Sequence, residues 1–206
     1  MSSPVGLPGE QYLELMGRVR ERFEVIRRLK AIGPQNFSAC EGIAFHLRKI
    51  IEGIAFGCLV ACENGLKQIP SDAKGQWNAD TIFAQLDKRK LIVFPNPSQL
   101  RNATDAEARE SGVKVVIEGL PECVLQYPQV REIYRSTYPF LHEKNPYRPS
   151  QFGPAIFKKL WYDVDLIWKL IERHFIVIGG EGFYCTLVDS QDGQTKVIPL
   201  SRETTH

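Results

Sequence analysis

The sequence predicts a mostly α-helical protein, a bundle of about five helices with a small antiparallel β meander at its C-terminal end. Three observations carry that expectation. Tyr12, Met16, Val19, Phe23 and Ile26 recur at steps of four and three, which sets them on one helical face. The stretch 50–62 is apolar nearly all round, the pattern of a helix enclosed by other helices. After residue 173 the helical period gives way to short β-rich runs separated by glycine turns. The expected organisation is a flexible N-terminus over 1–8, a helical domain over 9–173 and a β appendage over 174–206.

The first helix is expected over 9–32, stopped by Gly33 and Pro34. Its outer face carries Arg18, Arg20, Arg22, Arg27, Arg28 and Lys30 against Glu21 and Glu24, and reads as a solvated face. The second helix is expected to start at Ser38, with Glu41 completing a capping box, and to stop at Gly65. Gly53, Gly57 and Ala61 lie four residues apart along it and form a smooth strip. Each glycine costs about 1 kcal/mol of helix propensity relative to alanine, so close helix packing must compensate.

A third helix is read from Ser71 to Lys90, with Trp77, Ile82, Phe83 and Leu86. Phe94 to Pro97 then excludes helix, 102–112 reads as a polar, mobile link, and 113–118 as a short strand. A further helix starts near Pro128, a residue suited to a first turn. The last long helix spans Ser150 to Arg173, with Ile156, Leu160, Val164, Ile167 and Ile171 inward and Trp161 and Trp168 beside that stripe. Strands over 175–178, 183–188 and 195–200 close the chain, with Asp192-Gly193 as a hairpin signal.

The length, 206 residues, is enough for a real core. A formal net charge of +2 gives no global electrostatic signature of a nucleic-acid binder, so a local patch would have to serve. Cysteines 40, 58, 62, 123 and 185 are odd in number and lack framework spacing. With no charged segment leading into an apolar one at the start, reduced thiols and a cytoplasmic location are expected. The most apolar stretch contains Glu52 and is too short to span a bilayer, so no membrane partner is expected.

The chemistry concentrates in 135–146. Arg135 and His142 are seven residues apart, and seven steps of an α-helix miss two full turns by only about 20°. On one helical face a guanidinium beside an imidazole is an RNA-cleaving combination. Its structural counterpart is a surface arginine and a turn histidine, and the arginine and histidine content alone produces about one such spacing by chance. Pro139 between them should bend or end the helix. Arg48 and Glu52, one turn apart on the apolar helix, form either a buried structural ion pair or a support for Arg135 and His142. Cys58 and Cys62 lack a second close pair of ligands, so no metal and no cofactor are expected. Gly179 to Gly182 precedes no helix and reads as a turn. The Tyr134, Tyr138, Phe140, Tyr147 and Phe152 aromatics around the motif are core if buried and a protein-binding patch if exposed.

The segment Leu47 to Glu52 on a central helix, followed by Arg135, His142, Asn145 and Pro146, resembles the HEPN superfamily over residues 9–173. It is most similar to small bacterial members with a β-rich C-terminal tail. The resemblance implies a compact helical domain, often dimeric, and a metal-independent endoribonuclease of the toxin–antitoxin or anti-phage type. Arg135 and His142 would then be the catalytic pair, with Arg48, Glu52 and Asn145 supporting. RNA, a second copy of the chain and an antitoxin or other protein are the implied partners. Members without catalysis act as interaction or scaffold modules that bind a protein or nucleotide. The chain departs from the family pattern at Ser136, where an amide or carboxylate is common, and at Pro139.

Overall fold

The computed structural model describes residues 7–33, 36–63, 75–91, 93–142, 147 and 153–200. Among them are six α-helices: α1 Leu7–Ile32, α2 Phe37–Glu63, α3 Ala79–Lys88, α4 Asp105–Ser111, α5 Tyr127–Ser136 and α6 Pro154–Ile171. Five strands, β1 Asn96–Asn102, β2 Val115–Gly119, β3 Arg173–Ile178, β4 Glu181–Thr186 and β5 Lys196–Pro199, form one antiparallel sheet in the order β2-β1-β3-β4-β5. Among the described residues no helix is long and apolar enough to cross a membrane.

α2 is the centre of the molecule. Ile43, Leu47, Ile50, Ile51, Ile54 and Cys58 on it are essentially inaccessible to solvent. α1 lies along it with the whole seam of Tyr12, Met16, Val19, Phe23 and Ile26 buried. The glycine strip explains how closely the two approach. A methyl group on Gly53 would lie 2.9 Å from Val19 Cγ2, and one on Gly57 2.9 Å from Tyr12 Cε2. The packing gained at these positions offsets the helix propensity lost there.

Several boundaries differ from the sequence reading. α2 is capped by Asn36, whose side chain accepts from the Ala39 amide at 2.9 Å, two residues before the expected Ser38 cap. The third helix begins only at Ala79, where Asn78 accepts from the amides of Asp80 and Thr81. Its expected start at Ser71 lies outside the described residues, as do the Gly65 stop, the Ser150 start and Phe152. The link expected to be mobile contains α4, which Thr104 and Glu107 open with a reciprocal capping box and Gly112 closes at φ 70°. Thr-x-x-Glu is a readable signal, and composition masked it.

The largest difference is the sheet. The chain does not end in a detached three-stranded meander, because the polar segment Asn96–Asn102 joins the same sheet. It pairs with β2 over five residues, from Ser98 opposite Gly119 to Asn102 opposite Val115, and with β3 through Asn96 and Pro97. Its sequence has little intrinsic strand preference, so its conformation comes from the two neighbours. At the other end α6 stops at Ile171, not Arg173, because Arg173 already pairs with Thr186 and the Glu172 carbonyl accepts the Leu187 amide at 2.9 Å. The β3–β4 turn uses Gly179 and Gly180, both at positive φ, which suits a two-residue hairpin.

A buried polar pin ties sheet to helices. His174 at the start of β3 is wholly buried; its Nδ1 lies 3.0 Å from the Ile171 carbonyl and its Nε2 2.7 Å from the Tyr12 hydroxyl. A carbonyl only accepts, so Nδ1 carries the proton and Nε2 accepts from tyrosine. Burial lowers the imidazole from its ordinary 6.5 to about 4, against a smaller opposing effect of the Ile171 carbonyl. Between these values the unfolded chain binds the additional proton, so the contribution is complete above pH 6.5 and falls away towards pH 4. Urea unfolding across that range should lose about 3 kcal/mol from this residue. A slope that is identical in His174→Gln would assign the loss to other groups.

Candidate functional site

The face formed by α2, α5 and the turn after α5 gathers most of the residues singled out by sequence. Its construction starts from Pro139. α5 ends at Ser136, Thr137 is its C-cap, and a separate 3-10 turn covers Tyr138–Leu141 with Pro139 in its opening positions. Arg135 and His142 therefore do not share one α-helix, and the seven-residue argument for their alignment does not apply. Among the described residues no hydrogen bond links them. His142 follows the turn in extended conformation, φ −125° and ψ 143°, exposed, with its ring stacked on Tyr138 at 6.1 Å between centroids and 23° between planes. Asn145 and Pro146 lie outside the described residues.

Arg135 sits in the last turn of α5, with its side chain 55% exposed. Its Nη2 donates to both oxygens of Asp80, at 2.9 and 2.8 Å, and its Nε to Oδ2 at 3.3 Å. Arg131, one turn earlier, donates from Nε to the same carboxylate. Desolvation works to raise the Asp80 carboxyl, and the hydrogen bonds and charges of Arg131 and Arg135 outweigh it, leaving the group below its ordinary value. Asp80 also lies in the first turn of α3, where a negative charge meets the positive end of the helix dipole. The clamp leaves Arg135 Nη1 without a partner among the described residues.

Beneath this surface lies the Arg48–Glu52 pair. Arg48 Nε is 3.4 Å from Glu52 Oε1, and the two side chains are only 15% and 9% exposed. Lys49 reaches the other carboxylate oxygen at 2.6 Å, and the Tyr134 hydroxyl donates to Oε1 at 3.1 Å. The Arg48 guanidinium lies over two rings, 3.9 Å from the Tyr134 centroid and 4.9 Å from that of Tyr138. Its Nη1 is buried without a hydrogen-bond partner among the described residues. Burial and the Glu52 charge push the Tyr134 phenol up to about 12, against the pull of Arg48, so tyrosine remains a neutral donor. A continuous path thus runs from Glu52 through Arg48 and Tyr138 to the exposed His142 ring. Arg48 and Glu52 reach His142 by stacking, with no direct hydrogen bond.

A third buried carboxylate supports the turn from behind. Asp163 of α6, 2% exposed, accepts from Lys159 Nζ at 2.6 and 2.8 Å and lies 3.0 Å from Ser136 Oγ, whose single proton it shares with the Ile133 carbonyl at 2.8 Å. These residues border a cleft of about 200 Å³ with Pro139 and Phe140. Ser136, the departure from the family pattern, is thus the residue that fastens the end of α5 to α6. Hydrogen bonds to a charged group contribute about 1.5–3 kcal/mol. Asp163→Ala should cost about 2 kcal/mol and speed amide exchange across 138–141, whereas Asp163→Asn, which keeps an acceptor, should retain most of both. Unchanged exchange in Asp163→Ala would remove its supporting role.

Sequence reasoning identified Arg48, Glu52, Arg135 and His142, and the structure brings the first two into contact with the tyrosines that carry the last. It overlooked Asp80, Arg131 and Asp163, whose significance depends on contacts between residues 27 to 55 positions apart. Tyr138 was legible only as one aromatic among several. Cys58 is a wholly buried thiol pushed well up by desolvation, and Cys62 donates to the Leu91 carbonyl. Among the described residues no three His, Cys, Asp or Glu side chains converge as a metal site would require. Comparison of the chain with protein-family models, curated proteins and solved structures finds no match.

Proposed function

We propose that the protein is a metal-independent endoribonuclease of the toxin–antitoxin or anti-phage type, acting in the cytoplasm on single-stranded RNA. The observation that carries this reading is the exposed His142 ring, stacked on Tyr138 and free of any hydrogen bond among the described residues, together with Arg135 at the end of α5, whose Nη1 has no partner among the described residues. The resemblance of 135–146 to the HEPN motif supports it. In the reaction His142 takes the proton of the ribose 2′-hydroxyl or returns one to the leaving 5′-oxygen. Arg135, oriented by Asp80, offers Nη1 to the phosphoryl oxygen that gains charge in the transition state. The products carry 2′,3′-cyclic phosphate and 5′-hydroxyl ends. In a symmetric dimer two such faces would border one RNA cleft.

A second reading, a non-catalytic module that binds a protein or nucleotide, is favoured by one observation. The three arginines of the face are already held by carboxylates, Arg48 by Glu52 and Arg131 and Arg135 by Asp80. Incubating the purified protein with a mixed RNA pool in EDTA, followed by end-group analysis, separates the two readings. Cleavage that leaves cyclic phosphates supports the nuclease. Intact RNA at high protein concentration would sink it in favour of the binding module.

A further inference from the structure

We propose that the groove between α1 and α6 is a binding site for a small planar aromatic carboxylate. Side chains of both helices line it. Trp168 meets Phe23 edge to face, 4.9 Å between centroids and 79° between planes. Lys30 Nζ lies 5.1 Å from the centroid of Trp161. Together with Ile26, Arg27, Val164 and Asp165 these residues line an open groove of about 200 Å³. A groove of this size has room for a fused bicyclic ring lying against the indoles with its outer edge in solvent.

Charge selects the rest of the ligand. Arg27 and Lys30, one turn apart on α1, are both exposed, and neither pairs with a carboxylate among the described residues. The acidic residue of the groove, Asp165, is already bound to Lys169 at 2.8 Å. The groove thus joins an aromatic lining to two cations on one rim that pair with no carboxylate among the described residues, Lys30 resting over Trp161. A ring inserted against the indoles would present its carboxylate to Arg27 and Lys30, where charge-assisted hydrogen bonds form. A neutral ring gains only the stacking, and an aliphatic acid only the ion pair. The groove shares no residue with the Arg48, Tyr138 and His142 face, so the inference stands apart from the ribonuclease reading.

The three tryptophans give local reporters. Trp77 lies beside Phe56, outside this groove. The full chain, labelled with nitrogen-15, is titrated with indole-3-carboxylate and with its neutral analogue indole-3-methanol while the three indole N–H resonances are followed. Saturable shifts of Trp161 and Trp168 but not Trp77, with a Kd below about 1 mM, are expected for the acid. The neutral analogue should bind at least tenfold more weakly. So should the acid to a chain carrying Arg27→Gln and Lys30→Gln, whose exposed positions leave the melting temperature unchanged. No saturation up to about 5 mM, movement of Trp77 alone, or equal affinity in the neutralised variant would each overturn the proposal.

Discussion

Glu52→Ala is expected to lower stability by about 3 kcal/mol, the low end of the cost of removing one partner from a buried ion pair. Three groups depend on this carboxylate: Arg48, Lys49 and the Tyr134 hydroxyl. Lys49 is 37% exposed and can turn to water. Arg48 cannot do so as easily, because its guanidinium is held between the Tyr134 and Tyr138 rings and is 15% exposed. The tyrosine faces keep part of the stabilisation, which is why the estimate is at the low end. For a chain of this length 1 kcal/mol corresponds to about 2–4 °C, so the melting temperature should fall by about 6–12 °C. Glu52→Gln keeps an acceptor for Tyr134 and removes only the charge, so comparing the two variants separates hydrogen bond from ion pair. A fall below about 2 °C in Glu52→Ala would mean that the pair is effectively solvated.

The second large effect concerns activity. His142→Ala is expected to reduce RNA cleavage by about 100- to 10,000-fold, the usual contribution of a positioned general acid or base. Arg135→Ala should reduce it by about 100- to 1000-fold through the loss of one donor to the developing charge. Neither change should move the melting temperature, because both side chains are exposed and Asp80 retains Arg131. Asp80→Ala supplies the finer test. It leaves Arg135 in place but unoriented, so kcat should fall while the affinity for RNA holds or rises as a negative charge leaves the face. Full activity in His142→Ala would remove the imidazole from the reaction, whatever the other variants do. Arg135 and His142, expected on one helix, stand on separate elements, the first held by Asp80 and the second stacked on Tyr138.

Much of the helical framework was legible because it depends on local pattern. The Tyr12 to Ile26 seam, the glycine strip of α2, the first-turn Pro128 and the β-rich run after residue 173 each express a periodicity or a backbone preference within a few residues. All appear at or near their expected positions. The Arg48–Glu52 pair was legible for a similar reason, since one helical turn brings the two together.

What the sequence could not determine depends on neighbours far along the chain. Asn96–Asn102 is a strand only because β2 and β3 provide partners for its backbone. Asp80 orients Arg135 from 55 residues away, Asp163 fastens Ser136 from 27, and His174 meets Tyr12 across 162. Local propensity and spacing hold no information about such pairs. By itself the sequence determined where the long helices lie and which faces they bury, while the short α4 went unread. Tertiary structure decided which charges meet, and Pro139 shows why: one residue without an amide ended α5 and turned an apparent helical face into two separate elements.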